Sequence, residues 1–217
     1  MSTPTHERKP RLRGVSHEWG FYISLLCGAL LIASAHGGRA ILGAAVFAAA
    51  VSGLLGTSAL YHRVDWRAKA RRWMRRLDHV MIFVLIAASN TPFALLALHG
   101  TLATVVLCVA WSGALAAAIV QLVWTEHPKW VSSVCAISLG WVAIATLTQL
   151  PATIGWVSTI AVVVSGVLYT VGAVIYARER PNPLPGVFGY HELFHAFVLA
   201  AAATQYAVIA FVVLPKG

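Results

Sequence analysis

Two histidines separated by three residues open the last apolar stretch of the chain, in the segment Tyr190-His191-Glu192-Leu193-Phe194-His195. On a helix such a pair shares one face, one imidazole a turn above the other, and can grip a single metal ion. The residues that follow, Ala196-Phe197-Val198-Leu199 and then four alanines, belong in lipid rather than in water. Ionisable groups at such a depth are costly and face a partner or a cavity. Polar residues at the ends of other apolar stretches are the candidate partners: His62, Asp78, and Ser58 one helical turn before His62. Three neutral imidazoles with an open fourth position form a common catalytic zinc shell, which His62, His191 and His195 could supply. Asp78 could then orient a water or accept its proton, and the chemistry suited to that arrangement is amide or ester hydrolysis.

The same residues admit other readings. His191-Glu192-Leu193-Phe194-His195 is literally H-E-x-x-H, in which Glu192 is the general base of a metalloprotease, Asp78 the third ligand and His62 idle. A non-catalytic receptor-like or pore-forming, cytolytic bundle, braced by a structural zinc, is the other alternative. There Asp78 would close the shell directly.

The elements that must position these groups follow from composition. With 59% hydrophobic and 11% charged residues the chain lies far from a soluble domain, where roughly a quarter of residues are charged. A span needs about 20 apolar residues, and the sequence divides into seven such stretches: residues 20–36, 40–61, 78–98, 101–124, 130–150, 154–176 and 187–213. The expected fold is therefore an all-α, seven-helix membrane bundle. Residues 1–19 form a basic tail, 20–213 a single membrane domain, 63–76 a basic interfacial loop and 214–217 a short terminal tail. Pro151 is expected to mark the turn between the fifth and sixth spans. No appended soluble domain is expected.

Seven spans put the amino-terminal tail and the loops after spans two, four and six on one side. That side collects nearly all the lysines and arginines, and the other keeps only Arg39 and Lys216. By the positive-inside rule the amino terminus is cytoplasmic and the carboxyl terminus outside. His62, Asp78, His191 and His195 then share the cytoplasmic end of the bundle. Arg63, Arg67, Arg71 and Arg75 recur every four residues beside the apolar stripe Trp66, Ala70, Trp73 and Leu77. This spacing predicts a short helix lying among headgroups, its arginines on anionic lipid. The net charge of +9 is confined to these stretches, which argues against a nucleic-acid partner. Cys27, Cys108 and Cys135 sit inside apolar stretches at unrelated spacing and read as buried apolar residues. Trp124, Trp130, Trp141 and Trp156 read as interface anchors or packing residues. His6, His17, His36, His79, His99 and His127 lack the convergence of the other three histidines and read as structural or interfacial.

Three segments also carry a resemblance. Ser58-Ala59-Leu60-Tyr61-His62, Arg76-Leu77-Asp78-His79 followed by Thr91-Pro92-Phe93, and His191-x-x-x-His195 resemble the signature segments of the hemolysin III group, within the progestin and adipoQ receptor family. The resemblance implies seven spans with a cytoplasmic amino terminus. It also implies, as in the adiponectin receptors, a zinc on His62, His191 and His195 with Asp78 nearby and Ser58 in support. Relatives are linked to ceramide-type lipid amide hydrolysis, so a similar hydrolase in a prokaryotic plasma membrane is implied. The chain departs from the bacterial pattern Gly-Thr-Tyr-Thr-Pro-Phe with Ala88-Ser89-Asn90-Thr91-Pro92-Phe93, an amide replacing an aromatic, which bears on substrate preference. The start of the first span around His17 and Glu18 departs as well.

Overall fold

In lipid every backbone N–H and C=O must find its partner within the protein, so apolar segments of spanning length fold as helices. The computed structural model describes residues 10–124 and 127–216. Among these residues seven helices are long and apolar enough to cross a membrane, and there are no strands. The helices are α1 Val15–Ala33, α2 Gly38–Arg63, α3 Ala68–Leu96, α4 Gly100–Val123, α5 Lys129–Gly140, α6 Leu150–Ile154, α7 Trp156–Arg178 and α8 Tyr190–Val208. A 3₁₀ segment, Trp141–Thr148, completes the span begun by α5, and a π turn, Ile209–Val213, continues α8. Residues 1–9 of the basic tail, with His6, and Glu126 in the loop after α4 lie outside the described residues.

Neighbours in sequence pack as neighbours in space from α1 to α4, α5 packs on α7, α7 on α8, and α8 returns to α1. The spans containing α2, α3 and α8 bury the largest shares of their residues. Small residues allow the close approach at their contacts. A Cβ on Gly43 of α2 would stand 3.1 Å from the Pro92 Cα of α3, and one on Gly28 of α1 would stand 3.0 Å from the Ala48 Cβ of α2. Phe47, Phe93, Leu98, Val106, Leu150 and Ile209 fill the core at the end away from the histidine pair.

Three boundaries differ from the sequence reading, each for a physical reason. α1 starts at Val15 rather than at residue 20, because an unbroken hydrogen-bonded helix carries His17 and Glu18 as its first turn. The basic stretch 63–76 is not a separate headgroup helix: Ala68–Arg76 is the beginning of α3 itself, and only the link between Arg63 and Ala68 is non-helical. There Arg71 lies over the Tyr61 ring and Arg76 over Trp73, while Trp73 and Leu77 face outward. Pro151 does not make a turn but enters the first turn of α6, where its missing N–H costs nothing. The reversal is made by Gly155, at φ 80°, a conformation open to glycine.

Trp124, Trp130 and Trp156 are exposed, as membrane anchors are, whereas Trp141 donates its indole N–H to Thr170 on α7 at 3.1 Å. The cysteines are unpaired, with Cys108 on the outer surface rather than buried. Gly43→Leu is expected to force α2 from α3, since the opposing atom is backbone and cannot swing aside. Overpacking of this kind costs about 1–3 kcal/mol, and thermal unfolding in detergent should register it. An unchanged transition would contradict the α2–α3 packing described.

Candidate metal centre

His62 lies in the last turn of α2, and His191 and His195 in the first two turns of α8. The crossing of these helices places the three side chains together, all buried, with one ligand atom from each within 4.8 Å of the others. His62 Nε2 and His191 Nε2 are 3.0 Å apart. His195 stands edge-on to His191, its ring centroid 4.5 Å away, and its Nδ1 is buried without a hydrogen-bond partner. Nitrogens on one tetrahedral zinc lie about 3.3 Å apart, given Zn–N bonds of about 2.0 Å. The cluster therefore fits an ion with small side-chain adjustments.

Asp78, in the third turn of α3, brings Oδ2 to 3.9 Å from His62 Nε2. The Ser58 hydroxyl hydrogen-bonds this carboxylate. Ser58 and His62 are one turn apart on α2, so a single helix face orients both a ligand and the carboxylate. All five residues singled out by the sequence converge. Asp78, Ser58 and His195 also line the mouth of a cavity that runs between α3, α5, α7 and α8.

Two histidines read as structural belong to these surroundings. His17, 2% exposed, stacks on His195 with ring centroids 3.7 Å apart and planes 6° from parallel. Parallel rings at this spacing cannot both point in-plane lone pairs at one ion, so His17 fixes the attitude of His195 rather than joining its shell. Neither of its ring nitrogens makes a hydrogen bond of standard geometry. The signal was its position on the same side as the other three, one turn into a helix assigned too late a start. His79 lines the cavity beside Tyr176, whose hydroxyl is 3.4 Å from its Nε2. His36 and His99 are exposed at the far end.

The aqueous end of the site is closed by the segment before α1. Arg11 and Leu12 donate their N–H groups to the carbonyls of Gly186 and Val187, each at 3.1 Å. Gly14, at φ 81°, passes so close to His62 that a Cβ there would stand 2.6 Å from the His62 Cβ. Arg13 pairs with Glu192, whose Oε2 also accepts the Gly189 N–H at 2.7 Å. Glu192 thus caps α8 and anchors the amino-terminal segment. Both of its oxygens are engaged away from the histidines, and the H-E-x-x-H role as general base finds no geometric support.

The fold and site define a class: a polytopic seven-helix membrane protein with a buried three-histidine cluster at one end. Comparison with known sequences makes this specific. The chain belongs to the haemolysin-III-related family, whose model matches residues 5–206. It is 30% identical to "Hemolysin-3" of Bacillus cereus over 206 residues, covering 94% of this chain and 91% of the relative. It is 28% identical to a "Hemolysin-3 homolog" of Bacillus subtilis over 184 residues, covering 84% and 83%.

Glu192→Gln removes the charge opposite Arg13 while keeping the shape of the cap. A loss of about 1–3 kcal/mol is expected from the weakened, largely buried pair, with metal content of the purified protein unchanged. Metal loss at a temperature where the variant remains folded would instead place Glu192 in the ligand shell.

Proposed function

We propose that the protein is a zinc-dependent hydrolase acting on amide or ester bonds of membrane lipids, with ceramide-like amides as the leading substrate class. The observation that carries this reading is the convergence of His62, His191 and His195, with Asp78 and Ser58 beside them, where His195, Asp78 and Ser58 line a cavity with largely apolar walls. A zinc ion bound there would polarise a carbonyl and make water acidic at neutral pH. His62, His191 and His195 would hold it through neutral imidazole nitrogens. Asp78 would take up and return the proton at its carboxylate, held in place by the Ser58 hydroxyl. The stacked His17 keeps the His195 ring from rotating, and the segment ending at Gly14 keeps bulk water from the aqueous side.

The cavity accounts for the lipid in this reading. Between the polar mouth and the bundle interior its walls are Leu54, Ile82, Leu85, Ile86 and Val198. A Cβ on Gly140 of α5 or on Gly166 of α7 would meet open space, so the two glycines leave a gap between their helices. An acyl chain is the ligand such a space admits. The same reading sets the histidine end toward the cytoplasm of a prokaryotic plasma membrane, with Arg63, Arg67, Arg71 and Arg75 toward anionic headgroups.

Elemental analysis of protein purified without chelator should find about one zinc per chain. His62→Ala and His191→Ala are expected to lose it, and lipid amidase activity should fall at least a hundredfold in both. Asp78→Asn is expected to keep the metal and lose the activity. Wild-type protein without stoichiometric zinc would end this reading.

A further inference from the structure

An ion reaches a buried site along a path that water can follow, because a charge in an apolar interior is costly. The cavity meets the cluster at His195 and is not lined by His62 or His191, and its walls are largely apolar. Residues 10–14 approach the cluster from another direction. Gly14 is buried against His62, Arg13 pairs with Glu192 in the first turn of α8, and Arg11 and Leu12 hydrogen-bond to the loop before α8. One short segment therefore touches both helix ends that bear the histidines.

This segment is held lightly compared with what it rests on. Arg11 is exposed and Leu12 is 42% exposed, so lifting the segment uncovers little apolar surface. Its ties to α8 and the preceding loop are two backbone hydrogen bonds and the Arg13–Glu192 pair. The loop is fastened on its own account: Leu184 and Phe188 exchange backbone hydrogen bonds, each at 2.9 Å, and Asn182 Oδ1 accepts the Tyr190 N–H at 2.9 Å. Segments with few buried apolar contacts open before the elements they cover. Gly14 supplies a pivot, at φ 81° and directly before α1. Rotation there moves residues 10–13 and leaves His17 of α1 on His195.

We propose that residues 10–14 are a gate for metal: the cluster gains and loses its ion when this segment swings off His62 about Gly14, and the Arg13–Glu192 pair sets how often it does. The inference rests on the metal centre of the proposed function and not on its lipid chemistry. Such a gate governs rates more than affinity, since it opens for entry and exit alike.

The test loads the full-length, detergent-purified protein with zinc and follows release to an excess of water-soluble chelator. Arg13→Ala is expected to release zinc about tenfold or more faster than the wild type, the effect of losing a hydrogen-bonded charge pair, with its zinc content before chelation unchanged. The double variant Leu12→Cys, Val187→Cys changes two exposed side chains beside a backbone hydrogen bond of the gate. Oxidised to a disulfide, it should release zinc about tenfold or more slowly than the same sample after reduction, so one folded protein supplies both rates. In metal-free protein, carbethoxylation of His62 and His191 by diethyl pyrocarbonate, read by mass spectrometry, should be faster in Arg13→Ala than in the wild type. Equal release from the wild type, Arg13→Ala and both redox states overturns the gate and routes the ion through the cavity, leaving the hydrolase reading untouched. Gated release without cleavage of lipid amides or esters refutes the hydrolase reading and leaves the gate standing. Wild type that takes up no zinc ends the hydrolase reading, and equal modification rates then overturn the gate as well.

Discussion

The structure turns on burying imidazoles in a medium that cannot solvate them. A polar side chain taken from water without a partner costs roughly 2–7 kcal/mol, and the three histidines of the cluster are all buried. Their burial is offset in part by their contacts with one another. The 3.0 Å approach of His62 to His191 ties the last turn of α2 to the first turn of α8, elements far apart in the chain. Asp78 enters from α3 only because Ser58, on the histidine face of α2, gives its carboxylate a donor. The spans that build this contact are those with the largest buried shares, while those of α4, α5 and α7 turn most of their surface outward.

The amino-terminal segment follows from the same constraint. A cluster at the end of a bundle is open to water unless something covers it, and water weakens every electrostatic interaction within. Here the cover is backbone. Gly14 lets the chain pass directly against His62, and the two backbone hydrogen bonds to Gly186 and Val187 fasten it to the loop before α8. The Arg13–Glu192 pair then uses the cap of α8 as its anchor, so the helix that supplies two of the clustered histidines also holds the segment that covers them. Arg63 to Glu18, at 2.8 Å, adds a more exposed link between the ends of α2 and α1. Such an exposed pair contributes little by itself. The position of His17 against His195 depends mainly on the backbone route.

Membrane spans are legible in a sequence because their signal is crude: about 20 apolar residues, repeated. The convergence of His62, Asp78, His191 and His195 was legible for the converse reason, since a histidine or aspartate inside such a stretch has few bland explanations. What failed to show was anything that needs the path of the backbone. The arginines spaced by four after His62 fit a helix on the membrane surface as well as the first turns of α3, and only the unbroken hydrogen bonding into Asp78 decides for the latter. Pro151 reads as a break by composition, yet proline in the first turn of a helix is unstrained, and the reversal falls to Gly155. His17 read as structural or interfacial because, with the first span placed from residue 20, it lacked the convergence of the other three histidines. Its own side chain faces the opposite way, onto His195.

The polar atoms of the cavity wall were invisible for a further reason. Serine, tyrosine and glutamine are ordinary in membrane helices, where they bond to carbonyls of their own turn, as Thr170 does to Gly166. Nothing in the sequence separates those that do from Ser89, Tyr169 and Gln205, which do not. The distinction matters because, in the proposed reading, three histidines, a carboxylate and a hydroxyl could act on many carbonyl lipids and would not choose among them. An aliphatic wall is nearly as indifferent, since one methylene more or less changes binding by only about 1–3 kcal/mol. A site built to hydrogen-bond a hydroxyl discriminates far more strongly, because an analogue lacking the group leaves buried atoms unpaired. Under the hydrolase reading, selectivity would then rest on the polar groups of the cavity wall rather than on its aliphatic stretches.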